Sequence, residues 1–129
     1  MIFGIGIDTI EVPRIARTIE QYGDQFLNRI FTKLEIAYCT SRKMSAEHFA
    51  ARFAAKEAFA KAIGTGIRQG FIWKEVEVRK GYSGKPILVV NGSMIAKTSR
   101  IVGGNYQALV SLSHTKTIAE AMVIVEKVL

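Results

Sequence analysis

Asp8 and Glu57 are the carboxylates in this chain whose surroundings suggest chemistry, and Arg52, Lys56 and Lys61 are cations clustered around the second of them. Asp8 follows the run Ile2-Phe3-Gly4-Ile5-Gly6-Ile7. A carboxylate closing a buried strand reads either as a turn or N-cap aspartate or as a metal ligand. Glu57 and Lys61 lie four apart, which reads either as a surface salt bridge or as a pair at the border of the core facing a phosphate. Lys56 falls near the centre of an apolar helical stripe, an odd place for a free ammonium. Glu57 is 49 positions beyond Asp8 (57 minus 8), so the sequence does not show that they meet. If they do, hard oxygen ligands suit magnesium, which takes one or two carboxylates and fills its other positions with phosphate oxygens and water. His48 and His114 are far apart in sequence, and the only cysteine is Cys39, so zinc and iron sites are not indicated.

The elements that must position these residues follow from pattern. Residues 2–8 read as a buried strand whose glycines permit close approach of another segment. Pro13 suits the first turn of a helix over 13–21, ended by Gly23, and a short helix is expected over 24–29. Thr32 and Glu35 form a capping-box pattern opening a helix over 33–42. Ser45 is expected to cap the longest helix, 46–63, with Gly64 as its stop. Phe49, Phe53, Ala60 and Ile63 share one face of it.

A glycine-rich loop over 64–72 follows, a good place for a phosphate, although Gly64-Thr65-Gly66 matches no known nucleotide fingerprint. Residues 74–80 alternate as a strand with one wet face, 81–86 form a turn and 87–90 a second strand. Asn91 or Ser93 would cap a helix over 93–101, and 106–113 and 117–127 form a hairpin around His114-Thr115-Lys116. The order β-α-α-α-α-β-β-α-β-β specifies an α+β domain, 1–129, with an antiparallel sheet and a long helix packed on it.

At 129 residues and 49% apolar composition, one domain with a real core is expected. A net charge of +7 favours anionic partners: nucleic acid, phosphorylated cofactors, anionic membranes or acidic proteins. No run is long enough to span a membrane, no leader pattern precedes the first strand, and the lone cysteine suits a reducing cytoplasm. A small basic RNA- or DNA-binding α+β domain is the alternative, but the phenylalanines sit mostly at helix-core spacing rather than among surface cations.

Taken together, the segments resemble the holo-[acyl-carrier-protein] synthase family, the small bacterial branch of the 4'-phosphopantetheinyl transferases. The residues that carry the resemblance span nearly the whole chain, in the family's order. They are Gly4-Ile5-Gly6-Ile7-Asp8-Thr9-Ile10-Glu11 with Arg14, Phe31 to Glu35, Arg52-Phe53-Ala54-Ala55-Lys56-Glu57-Ala58-Phe59-Ala60-Lys61-Ala62, Gly64-Thr65-Gly66, Gly84-Lys85-Pro86 and Ser111-Leu112-Ser113-His114.

The resemblance implies a 4'-phosphopantetheinyl transferase-like fold and a role for each position. Asp8 and Glu57 would ligate a magnesium ion bridging to the pyrophosphate of coenzyme A, and Lys61 would reach the same phosphates. Arg52, Lys56 and the backbone of Gly64 to Gly66 would add coenzyme A contacts. Gly84, Lys85, Pro86, Ser113 and His114 would line the nucleotide site from an adjacent subunit of a homotrimer. Larger relatives carry a further carboxylate where this chain has Ile10, so water would replace that ligand unless Glu11 reached around. A serine of an acyl carrier protein would attack the β-phosphate, and 3',5'-ADP would leave, in support of fatty acid biosynthesis. Glu57 or a magnesium-bound hydroxide would take the serine proton. Arg14, Arg17 and Arg29 would either meet the acidic carrier protein or form a solvated helix face.

Overall fold

The computed structural model describes residues 1–68 and 70–129. Its elements run β1 (Ile2–Glu11), α1 (Val12–Tyr22), α2 (Asp24–Ile30), α3 (Lys33–Thr40), α4 (Ser45–Ala62), β2 (Val76–Lys80), β3 (Pro86–Val90), α5 (Ser93–Val102), β4 (Tyr106–His114) and β5 (Ile118–Lys127). The element order matches the one expected from pattern. The strands form two antiparallel sheets rather than one: β1-β5-β4, and the hairpin β2-β3.

Helix α4 is the centre of the molecule. It packs on β1, β4 and β5 and is flanked by α1, α3 and β2. Being covered on several sides, it buries residues around most of its circumference, from Phe49 and Ala50 to Phe59 and Ala62. Alanine suits that position, since it favours helix and lets neighbours approach closely. The inner face of the sheet presents Ala119, Ala121, Val123 and Val125 to this helix. Phe53, expected in the core stripe, is only partly buried and stacks on Trp73, with ring centroids 5.0 Å apart.

Gly4 and Gly6 determine how close β1 and α4 come. A Cβ on Gly4 would lie well inside 3.0 Å of the Ala62 carbonyl oxygen, and one on Gly6 equally close to that of Ala58. Two residues of strand thus match one turn of helix, and the two backbones lie antiparallel in near contact.

Several boundaries differ from pattern for identifiable reasons. Strand β1 does not end at Asp8; it pairs with β5 as far as Glu11, opposite Ile118. Asp8 lies opposite Ala121 within the ladder, which removes the N-cap reading. Ser45 is the first helical residue of α4, and Met44 occupies the cap position. Neither Asn91 nor Ser93 caps α5. Glu75, in a single 3-10 turn at Trp73–Glu75, accepts from the Met94 N–H and the Ser93 hydroxyl instead. Strand β2 begins at Val76 and has no fully wet face, because Glu77 is buried against Thr32 and Arg79. The capping box of Thr32 and Glu35 forms as expected. The predicted glycine-rich loop contains Gln69, which lies outside the described residues.

Cys39 is fully buried, and burial pushes its thiol up to about 12, so it is a packing residue. Among the described residues, no helix is long and apolar enough to cross a membrane.

Candidate active site

The close seating of β1 on α4 brings Asp8 to Glu57 and Lys61. The Lys61 ammonium donates to Asp8 Oδ1 at 2.9 Å and to the Ile7 carbonyl at 3.0 Å. Burial and the neighbouring Asp8 carboxylate push Glu57 up to about 7, with Lys61 and Arg14 opposing. A carboxylate so placed shares a proton with its neighbour near neutrality, or binds a cation. Both side chains are partly open to solvent, so an ion could reach them.

The donor set fits magnesium. Two adjacent carboxylates meet the requirement of that ion for one or two protein ligands. Ile10 shares the inward face of β1 with Asp8 but is apolar and buried, and Glu11 falls on the opposite face. Glu11 therefore cannot supply a third carboxylate. Among the described residues no cluster of three or more His, Cys, Asp or Glu side chains forms.

A second cluster lies on the other flank of α4. Arg52, His114, Gly84 and Pro86 line one small pocket of about 160 Å³ with Tyr38 and Lys80. Arg52 is 5% exposed, and its Nε has no hydrogen-bond partner. Its guanidinium lies 4.3 Å from the centre of the Tyr38 ring, and no carboxylate pairs with it among the described residues. A nearly buried cation without a counter-ion is costly. An anion entering this pocket would offset that cost.

The two clusters face different ways. Residues 52 and 57 are separated by about 140° around a helix. Strands β1 and β4 are separated by β5, roughly 9–10 Å between strand axes. One chain therefore carries two separate clusters on different flanks of α4.

Five residues expected at the site, Lys56, Gly64, Gly66, Ser113 and Lys85, are placed differently. Lys56 is fully buried, and its ammonium donates to Glu35 Oε1 at 2.9 Å, the Trp73 carbonyl at 3.0 Å and the Val76 carbonyl at 2.6 Å. Its three donors are used internally, so the coenzyme A contact expected of it does not fit the geometry. Burial pushes its pKa down, and Glu35 pulls it back up. Gly64 and Gly66 adopt positive φ, and the N–H groups of residues 64, 65 and 66 all bond to the last carbonyls of α4. These amides are thus not free to cradle a phosphate, and a helix C-terminus repels one. The loop is nevertheless open, with nothing within 4 Å of a Cβ at either glycine. Ser113 and His114 are consecutive in β4, so their side chains leave opposite faces, and only His114 lines the Arg52 pocket. Lys85 lines a different cavity, with Leu109 and Met122 from the outer side of the sheet.

Arg14, Arg17 and Arg29 are exposed on α1 and α2. Sequence reasoning missed Tyr38, His48 and Lys80, which line the Arg52 pocket, and Glu47, which pairs with His114 beside it. Nothing in their local pattern distinguishes them from ordinary helix and strand residues.

The comparisons with known proteins identify the family. A sequence model described as the 4'-phosphopantetheinyl transferase superfamily matches residues 4–111. The chain belongs to that superfamily. It is 51% identical to the holo-[acyl-carrier-protein] synthase of Koribacter versatilis, over 98% of this chain and 99% of the relative. It is 43% identical to the Geobacter protein of the same name, over 98% and 100%. Among solved structures, the Neisseria meningitidis holo-[acyl-carrier-protein] synthase superposes with a TM-score of 0.86 at 35% identity, over 98% of this chain and all of that one. The Bacillus anthracis enzyme, solved in complex with CoA (3',5'-ADP), superposes with a TM-score of 0.80 at 38% identity, over 99% of both chains. None of these similarities supports the nucleic-acid-binding alternative.

Proposed function

We propose that this protein transfers the 4'-phosphopantetheine group from coenzyme A to a serine of an apo acyl carrier protein, releasing adenosine 3',5'-bisphosphate. The observation that carries this reading is the meeting of Asp8, Glu57 and Lys61 at one end of a close strand–helix seam, in a chain of this superfamily. The relatives' names supply the carrier-protein substrate, and the Bacillus anthracis complex supplies the coenzyme.

Asp8 and Glu57 would hold a magnesium ion. When bound, that ion would neutralise charge on the pyrophosphate. Lys61, half exposed beside Asp8, can swing to a phosphoryl oxygen and stabilise the charge developing there. The serine oxygen forms a bond to the β-phosphorus, and the bond from that phosphorus to the bridging oxygen breaks, leaving with the nucleotide. The serine proton needs an acceptor. Glu57, beside Asp8 at the seam, is the side chain on this chain placed to take it.

The Arg52 and His114 pocket would hold the nucleotide end of coenzyme A bound to a neighbouring subunit, since one chain's two clusters face apart. Supporting this, the sheet face away from α4 carries Phe3, Ile5, Ile7, Leu109 and Met122, each more than 40% exposed. A contiguous apolar face of that kind marks an interaction surface. A homotrimer with shared sites would cover it. Arg14, on the Glu57 side of α1, would meet the acidic carrier protein together with Arg17 and Arg29. A cytoplasmic location, with fatty acid biosynthesis as the process served, completes the proposal.

The test mixes the protein, an apo acyl carrier protein, coenzyme A and magnesium. Mass spectrometry should show addition of one phosphopantetheine group, lost with EDTA and in Asp8→Ala and Glu57→Ala. Arg14→Glu should raise KM for the carrier far more than for coenzyme A. Absence of transfer by the wild-type protein would reject the function. Undiminished transfer in both carboxylate variants would reject the metal assignment.

A further inference from the structure

One group that touches His114, a lining residue of the Arg52 pocket, is of the wrong sign for an anion site. Glu47, 8% exposed in the first turn of α4, places a carboxylate beside a cavity otherwise surrounded by Arg52, Arg79 and Lys80. A lone carboxylate there would repel a phosphate, so its position needs a compensating function. The Oε1 atom of Glu47 lies 2.9 Å from His114 Nδ1. The two residues are 67 positions apart and meet only because β4 ends against the start of α4.

With Nδ1 engaged by the carboxylate, the Nε2 edge is the part of the His114 ring left to meet a ligand. The ring is also fixed by His48, whose centroid is 4.9 Å away in an edge-to-face arrangement. Burial pushes the pKa of His48 down, as do His114, Arg52 and Arg42, while Glu47 opposes them. His48 therefore packs as an uncharged ring.

We propose that Glu47 is a positioning residue for the nucleotide end of coenzyme A: its carboxylate holds His114 so that Nε2 faces the phosphate group entering the Arg52 pocket. This rests on the functional reading above and adds to it a residue that would touch no substrate. The rival is a purely helical role, since an acidic side chain in a first turn also favours the helix dipole.

A double-mutant cycle separates the two. The KM for coenzyme A and the affinity for adenosine 3',5'-bisphosphate, by calorimetry, are measured for wild type, Glu47→Ala, His114→Ala and the pair. Glu47→Ala should raise KM for coenzyme A by roughly tenfold, the loss of one hydrogen bond to a charged group, with kcat unchanged. In the His114→Ala background it should add almost nothing. Glu47→Gln keeps an acceptor for Nδ1 and should fall between wild type and Glu47→Ala. It also serves as the cycle partner if Glu47→Ala does not fold. Equal effects of the Glu47 substitution in both backgrounds, or an unchanged KM, would overturn the proposal. A wild-type protein that binds neither coenzyme A nor the bisphosphate would instead overturn the functional reading beneath it.

Discussion

Lys61 pairs with Asp8 at 2.9 Å across the strand–helix seam, rather than with Glu57 one turn back on its own helix. The consequence falls on Glu57. Its neighbours are a carboxylate and a desolvating seam, and Lys61, the stronger of its two opposing cations, is already paired with Asp8.

A pH dependence of stability follows. The pKa of Glu57 rises from its ordinary 4.5 to about 7 on folding, so between these values the folded state holds more protons than the unfolded state. Stability from this group is therefore intact below 4.5 and falls as pH rises towards 7. In metal-free buffer, Glu57→Gln should gain Tm relative to wild type across that window. Added magnesium should raise wild-type Tm more at pH 8 than at pH 5. Calorimetric scans across this range check both, and a pH-independent difference would contradict them.

The seam itself can be tested at Gly6. A methyl group there meets the backbone of Ala58, which cannot rotate away. Gly6→Ala should cost about 1–3 kcal/mol or more, as overpacking does. It should also abolish the magnesium-induced rise in Tm by separating Asp8 from Glu57. Urea unfolding with and without magnesium reads both effects.

The proposed sharing of sites between subunits predicts complementation. Asp8→Ala and Arg52→Ala would then damage different halves of a site, so each variant alone should be inactive. Co-expressed in equal amounts and mixed at random, they should recover about a quarter of wild-type activity, since a site is whole when each of its two donors brings its intact half. Zero recovery would indicate that both half-sites act within one chain.

Lys56 should affect stability rather than coenzyme affinity. Lys56→Met leaves Glu35 buried without its cation and should cost about 3–5 kcal/mol in urea unfolding. Adding Glu35→Gln should restore part of that loss. The folded fraction should keep its KM for coenzyme A, because the ammonium is saturated by Glu35, Trp73 and Val76. A raised KM in a stable variant would return Lys56 to the site.

Element types and order were legible because they depend on local chemistry: alanine-rich periodicity in α4, the capping box at Thr32 and Glu35, and alternating β-branched runs in β4 and β5. The resemblance carried by Gly4 to Glu11 and Arg52 to Ala62 pointed to the same site residues. Local pattern could not tell that β1 extends past Asp8, because the extension depends on a ladder to β5, more than a hundred residues away. It marked Lys56 as lying in the apolar stripe but could not tell what its ammonium meets, since those partners come from α3 and the segment before β2. The pairing of Glu47 with His114 had no mark in sequence.

By itself, then, the sequence determined the inventory: an α+β chain, two candidate carboxylates, a surplus of cations, and glycines on the first strand. Only the tertiary structure decided which of these groups meet. Two glycines without side chains let β1 lie against the backbone of α4, and that contact distance sets whether Asp8 and Glu57 can share one cation. Long-range proximity of this kind arises from packing of whole elements, and no local pattern records it.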